Sequence, residues 1–247
     1  MTGRMRNQWV RAFLGFVWGL LLFLAVAWSL KFGLGSTVTE SAVVSQVVLK
    51  TALVLVALVG WTLLGRPFSE MGWRRADWWN RSYLLCFVIA AAAMMAGSVV
   101  MIFLGARHPV ASQLSFPEIV LVIWLLSSFS EEVYVRGLVQ SWVANRPDAI
   151  GINPALSPSI MSSALLFAAM HASLIWSPAG VKGGLTIVLM MVAVGWACAV
   201  LRARTTSLMP AIACHFAANV AGLPGGILGV ILYRVIYGHL PEIMTKG

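Results

Sequence analysis

PEIVLVIWLLSSFSEEVYVRGLVQSWVA, residues 117–144, is an apolar stretch that carries Glu131, Glu132 and Arg136 inside it. A helix needs about 20 apolar residues to cross the hydrocarbon core of a bilayer. This stretch is long enough to cross with tilt or to project beyond the bilayer. An ionisable side chain within a span costs a few kcal/mol or more, about +2.5–3.5 by insertion scales, so its presence marks a functional site by default. The chain holds only eight acidic residues and four histidines. Two of those acids sit here, and His171 and His215 stand in two later apolar runs.

Working outward, apolar runs cover about 12–30, 42–64, 82–105, 117–144, 159–176, 183–201 and 207–222, with a short eighth run reaching Gly238. The first follows a basic start and resembles a signal peptide with Ala25-Val26-Ala27 as a cleavage-like triplet, but it continues through Trp28 and Leu30 and reads as a retained helix. Lys50 interrupts the second run and is expected to snorkel or sit near a helix end. The polar connection 65–81 carries Trp73, Trp78 and Trp79, which suit a headgroup-level belt. Asn145-Arg146-Pro147-Asp148 ends the fourth span, GINPALSP (151–158) is a loop, and Leu223-Pro224-Gly225-Gly226 is expected to break the seventh. The expectation is an all-α, polytopic transmembrane bundle of about eight helices. It forms one integral-membrane domain over 1–247, with a catalytic core at about 117–222.

Composition agrees. Hydrophobic residues make up 60% of the 247 and charged residues 10%, against about 25% charged in a soluble domain, and the mean hydropathy is +0.88. A transmembrane barrel would show alternating segments of about 10 residues, whereas these runs are continuous. The net charge of +9 lies between apolar runs, with no basic stripe interleaved with aromatics, so nucleic acid is not an expected partner. Cys86, Cys198 and Cys214 show no CxxC spacing and read as buried packing residues.

Loop charge sets the orientation. With a cytoplasmic N-terminus, the inner segments hold Arg4, Arg6, Arg11, Arg66, Arg74, Arg75, Arg81, Arg146, Arg202, Arg204 and Lys246, against Lys31, Arg107 and Lys182 outside. Eight spans would return the C-terminus to the cytoplasm. Glu131, His171 and His215 then converge near mid-membrane or in the cytoplasmic half.

Adjacent residues on a helix point about 100° apart, so Glu131 and Glu132 face different ways. Glu132 and Arg136, at i and i+4, can pair. Glu131 is left without a local cation, and burial then disfavours its charged form, which suits a general base working near neutral pH. His215 and Asn219 share a face by the same spacing. A carboxylate and an imidazole can polarise one water between them, while a second imidazole and a carboxamide can donate to an oxyanion. Those parts suffice to hydrolyse a peptide bond without a serine or cysteine nucleophile. His108 and His239 lie at span ends and read as solvated.

Three motifs carry a resemblance: Glu131-Glu132-x-x-x-Arg136, Phe167-x-x-x-His171 and His215-x-x-x-Asn219, with Thr206-Ser207-Leu208 before the last. In this order, each in its own apolar segment, they resemble the CAAX protease and bacteriocin-processing family (CPBP, or Abi) of intramembrane proteases, which includes the Rce1-type prenyl-protein endopeptidases. The resemblance covers about 117–222. It implies that Glu131 and His171 activate water and that His215 with Asn219 forms the oxyanion site. It further implies that Glu132 and Arg136 support the site and that Phe167 packs beside it. The implied substrate is a membrane-anchored peptide or protein, lipidated CAAX-type chains included.

The family has been described both as metalloprotease and as glutamate-type protease. Glu131, His171 and His215 also compose a His₂Glu set of the kind zinc takes, but HExxH is absent and a separate base would be needed. A mechanism requiring no cofactor is the reading taken, with zinc as the alternative. Two other classes use the same residues: a proton- or ion-coupled transporter, and a non-catalytic membrane scaffold or immunity factor.

Overall fold

The computed structural model describes residues 3–33, 41–75, 81–144 and 154–242. Trp78 and Trp79 of the expected belt, the Asn145–Asp148 terminator, the start of the 151–158 loop and Lys246 lie outside the described residues. No strand occurs among those described, and the fold is an all-α polytopic bundle.

Eight helices follow in order: α1 (Gly3–Gly33), α2 (Ala42–Leu63), a one-turn α3 (Phe68–Met71), α4 (Arg81–Phe103), α5 (116–143), α6 (Pro158–Ala169), α7 (Gly180–Thr205) and α8 (Met209–Tyr237). Six segments are long and apolar enough to cross a membrane: Asn7–Phe32, Ala42–Leu63, Tyr83–Phe103, Pro158–Trp176, Gly180–Thr205 and Met209–Tyr237. Their outer faces stay apolar, as Phe13, Leu63, Leu84, Leu189 and Val235 show by their exposure. That suits a lipid solvent, because helices satisfy their own backbone groups there. The polar residues point the other way: Lys50, Glu131, Glu132, Arg136, Gln140 and His215 are buried.

α5 carries the site and is irregular. Two stretches of π-type winding, Ile119–Ser127 and Val133–Gln140, flank one α-helical turn, Ser128–Glu132. Wider winding of this kind recurs at functional sites. Every residue of the second stretch is buried. Its polar groups find partners on other helices: Tyr134 Oη donates to the Gly19 carbonyl (2.5 Å) and Gln140 Nε2 to the Ala199 carbonyl (2.9 Å). These bonds fix the rotation of α5 against α1 and α7.

The expected break at Leu223-Pro224-Gly225-Gly226 does not occur. α8 runs unbroken for 29 residues with Pro224 inside it. At about 1.5 Å per residue it is about 44 Å long, enough to cross a core of ~30 Å once. The seventh and eighth runs are therefore one helix. The reason is packing. A Cβ at Gly225 would lie 2.6 Å from Met95 Cα, and one at Gly229 2.9 Å from Ile102 Cγ1. Two glycines four apart let α8 lie directly on α4, as small residues do between membrane helices. Gly225→Leu is accordingly expected to lower the thermal unfolding midpoint in detergent, with an overpacking cost of about 1–3 kcal/mol or more. Gly226→Ala, which meets nothing within 4 Å, is the matched control and should leave it unchanged.

The Thr206-Ser207-Leu208 stretch sets where α8 starts. Thr206 ends α7 in the left-handed region (φ 54°). Ser207 Oγ then donates to the Arg74 carbonyl (2.7 Å), and the Leu208 N–H to the Gly72 carbonyl (3.0 Å). This clamp holds the first turns of α8, and with them His215, against the α2–α4 connection. Trp73 in that connection is half-buried against Phe129, with ring centroids 5.9 Å apart.

Candidate active site

The turn Ser128–Glu132 delivers both glutamates into the bundle, and His215 of α8 meets both. Its Nδ1–H donates to Glu132 Oε1 at 3.0 Å, while Nε2 faces Glu131 Oε2 at 3.9 Å. The other oxygen of Glu132 lies 3.2 Å from Arg136 Nε, as the i, i+4 spacing requires. Arg136 also donates through Nη2 to the Gly195 carbonyl (2.6 Å) and lies over the Phe167 ring, 4.7 Å from its centroid. α7 comes close enough for this because residue 195 is glycine: a Cβ there would sit 3.1 Å from the Ala164 carbonyl oxygen and 3.2 Å from Phe167 Cδ1. Glu132 thus holds His215 in one tautomer, and Arg136 holds Glu132.

Glu131 does have a cation. The Lys50 ammonium of α2 pairs with Glu131 Oε1, and both side chains are buried. This corrects the expectation that Lys50 snorkels and that Glu131 stands without a partner. The physical reason is mutual: each charge would be costly alone in this interior, and together they neutralise one another.

His171 stands at the end of α6, where a 3₁₀ turn (Ala172–Trp176) begins. Its Nδ1 bonds the Phe167 carbonyl at 2.8 Å. In the neutral ring Nδ1 is then the donor, and Nε2 is left as an acceptor. The ring lies within electrostatic range of Glu131 and His215. Phe167 is the common wall, 5.1 Å from the His171 ring and 5.2 Å, edge to face, from the His215 ring.

Asn219 points elsewhere. Its Nδ2 donates to the Ile123 carbonyl (3.0 Å) and to Ser128 Oγ (3.1 Å). An amide nitrogen carries two protons, and both are taken, tying α8 to the first π-type stretch of α5.

His108, expected to be solvated, is half-buried in the α4–α5 connection, where its Nδ1 accepts from the Ala111 N–H (3.2 Å). His239 is exposed against Tyr233. The three cysteines are buried and form no disulfide among the described residues.

Among the described residues no group of three His, Cys, Asp or Glu side chains is arranged to hold a metal ion. Glu131 already faces the Lys50 ammonium, while the bonds at Nδ1 of His215 and His171 leave the Nε2 atom of each ring open.

Sequence reasoning missed Lys50 as a residue of the site, although it carried the same signal as Glu131, a lone charge in an apolar run.

A membrane-embedded helical bundle, with two carboxylates and two imidazoles walled by an aromatic ring, defines a class of polytopic membrane protein with an interior acid–base site. Residues 113–221 match the family model described as type II CAAX prenyl endopeptidase Rce1-like, which supports a CPBP/Rce1-like family for that part of the chain. At family level the match supports a CAAX-type intramembrane protease. Neither the curated proteins nor the solved structures give a match.

Proposed function

We propose that the chain hydrolyses a peptide bond in a membrane-anchored substrate, using water activated between Glu131 and His171. The observation that carries this reading is the set of acceptors gathered on one buried wall. Glu131 Oε2 and His215 Nε2 are 3.9 Å apart, and the His171 and His215 rings pack on the same Phe167 ring, with centroids 5.1 and 5.2 Å from it.

The water gives a proton to Glu131 as its oxygen bonds to the carbonyl carbon, and the C=O π pair moves onto oxygen. When that pair returns, the C–N bond breaks, and the leaving nitrogen takes the proton back from Glu131. His171 orients the water through its Nε2 acceptor. Glu132 fixes His215, and the Arg136–Glu132 pair keeps that carboxylate in place. Burial excludes bulk water, so each of these interactions acts in a low dielectric.

The match to the family model supports a membrane-associated protein as the substrate class, and the reading takes a prenylated CAAX C-terminus as its type case. The excess of basic residues in one set of loops supports a cytoplasmic N-terminus.

The test is cleavage by the purified protein in liposomes. The substrates are a prenylated CAAX peptide, the same peptide without lipid, and a set of transmembrane peptides, each run with and without a chelator and read by product mass. Cleavage of an anchored peptide that persists in chelator is the expected outcome. Proton-coupled flux without any cleavage would favour the transporter class instead.

A further inference from the structure

We infer that Lys50 is a positioning residue for the hydrolytic step. Its ammonium holds the Glu131 carboxylate by Oε1, leaves Oε2 to face His215, and balances the negative charge as that charge passes from Glu131 to the substrate oxyanion. This rests on the hydrolase reading above and deepens it.

The helix phase of α2 aims Lys50 inward. The buried residues of that helix are Lys50, Leu53, Ala57 and Trp61, three or four apart and therefore on one stripe. Two contacts hold α2 there. A Cβ at Gly60 would lie 3.4 Å from Leu138 Cδ1 of α5, and Trp61 Nε1 donates to the Pro67 carbonyl (3.1 Å). Lys50 is 8% exposed and Glu131 4%, so the pair sits in the interior and not at the bilayer edge.

The two oxygens of Glu131 are thereby made different. The ammonium pairs with Oε1. Oε2 faces His215 Nε2 at 3.9 Å and is the oxygen on the wall where the water is activated. A carboxylate held by one oxygen is fixed in rotation before the substrate arrives, as a positioned base requires.

Charge balance gives the second reason. Glu132 has its own cation in Arg136, whose Nε lies 3.2 Å from Oε2 of Glu132. With both imidazoles neutral, the resting site carries two anions and two cations. In the hydrolytic step Glu131 gains the water's proton as the C=O pair moves onto oxygen. One negative charge leaves the carboxylate as one appears on the substrate, and the ammonium offsets it in both places. Without Lys50 the site would hold an uncompensated anion throughout, in an interior where that is costly. No proton leaves Lys50 in the step.

The test compares the reconstituted full chain with Lys50→Met and Lys50→Arg, and takes Lys182→Met, at an exposed position of α7, as the wild-type reference. The substrates are the prenylated CAAX and transmembrane peptides above, with rates referred to folded protein. Lys50→Met is expected to lower kcat about 10²-fold, the cost of a reacting group misplaced by about 1 Å, with KM within about threefold of wild type. Lys50→Arg keeps the cation on a different head group and should recover to within about tenfold. A folded Lys50→Met protein with wild-type kcat, a loss confined to KM, or equal losses for Met and Arg overturns the inference.

A second arm needs neither activity nor a folded Lys50→Met protein. Nitrogen NMR of ¹⁵N-lysine protein in liposomes, with Lys50→Arg giving the assignment, should find the Lys50 ammonium exchanging its protons with water more slowly than Lys182 and shifted in Glu131→Gln. A Lys50 signal that exchanges as fast as that of Lys182, or that stays in place in Glu131→Gln, overturns the inference. A wild type that cleaves nothing counts against the hydrolase reading and this inference together, whereas cleavage with an unpaired Lys50 counts against the inference alone.

Discussion

Glu131→Gln protein, folded and reconstituted, is expected to cleave at least 10²–10⁴-fold more slowly than wild type, the range that removal of a positioned general base produces. Glutamine keeps the shape and the hydrogen-bonding oxygen but cannot accept the water's proton. The change leaves the Glu132–His215–Arg136 chain of contacts intact but takes the partner from the buried Lys50 ammonium, so the double variant Lys50→Met/Glu131→Gln, in which neither charge remains, is the companion that separates proton transfer from site assembly. Glu131→Asp is the finer probe. It keeps the carboxylate but withdraws it by one methylene, and a misplacement of about 1 Å costs on the order of 10²-fold. Single-turnover cleavage, which separates chemistry from product release, is the measurement for both. Wild-type rates in a folded Glu131→Gln protein would remove Glu131 from the mechanism.

Lys50→Met is expected to have the largest effect on stability. The ammonium is buried against Glu131, and removing one partner of a buried ion pair leaves the other charge uncompensated, at about 3–5 kcal/mol. The double variant Lys50→Met/Glu131→Gln removes both charges and should recover most of that loss, which a double-mutant cycle reads directly. Lys50→Arg keeps the charge and should fall between. Unfolding of the four proteins in mixed detergent micelles gives the cycle. A Lys50→Met protein as stable as wild type would mean that the pair contributes nothing to holding α2 on α5.

Much of this was legible in the sequence. The long apolar runs state an all-α membrane bundle outright. The polar residues of 117–144, 159–176 and 207–222 marked a candidate site, and in the fold Glu131 and Glu132 meet His215 while Phe167 packs on both histidine rings. Glu132–Arg136 was readable because both partners lie on one helix at fixed spacing. Lys50–Glu131 was not, since no spacing rule connects residues on separate helices. The 223–226 segment misled for a different reason. Pro-Gly-Gly is a breaker in water, but between membrane helices a glycine's missing side chain becomes a packing surface, and Gly225 and Gly229 turn the expected break into the contact between α4 and α8. Asn219 lies on the predicted face of its helix, yet its protons go to a carbonyl in the π-type stretch of α5. Irregular winding of that kind leaves no mark in the residue pattern.

The most direct test of the central claim places wild type and Glu131→Gln side by side in the same liposomes, with prenylated CAAX and other membrane-anchored peptides, and follows product masses over time. The account predicts defined peptide products from wild type and none from Glu131→Gln, with both proteins equally folded and inserted. Equal cleavage by the two, or none by wild type across the whole substrate set, would contradict it.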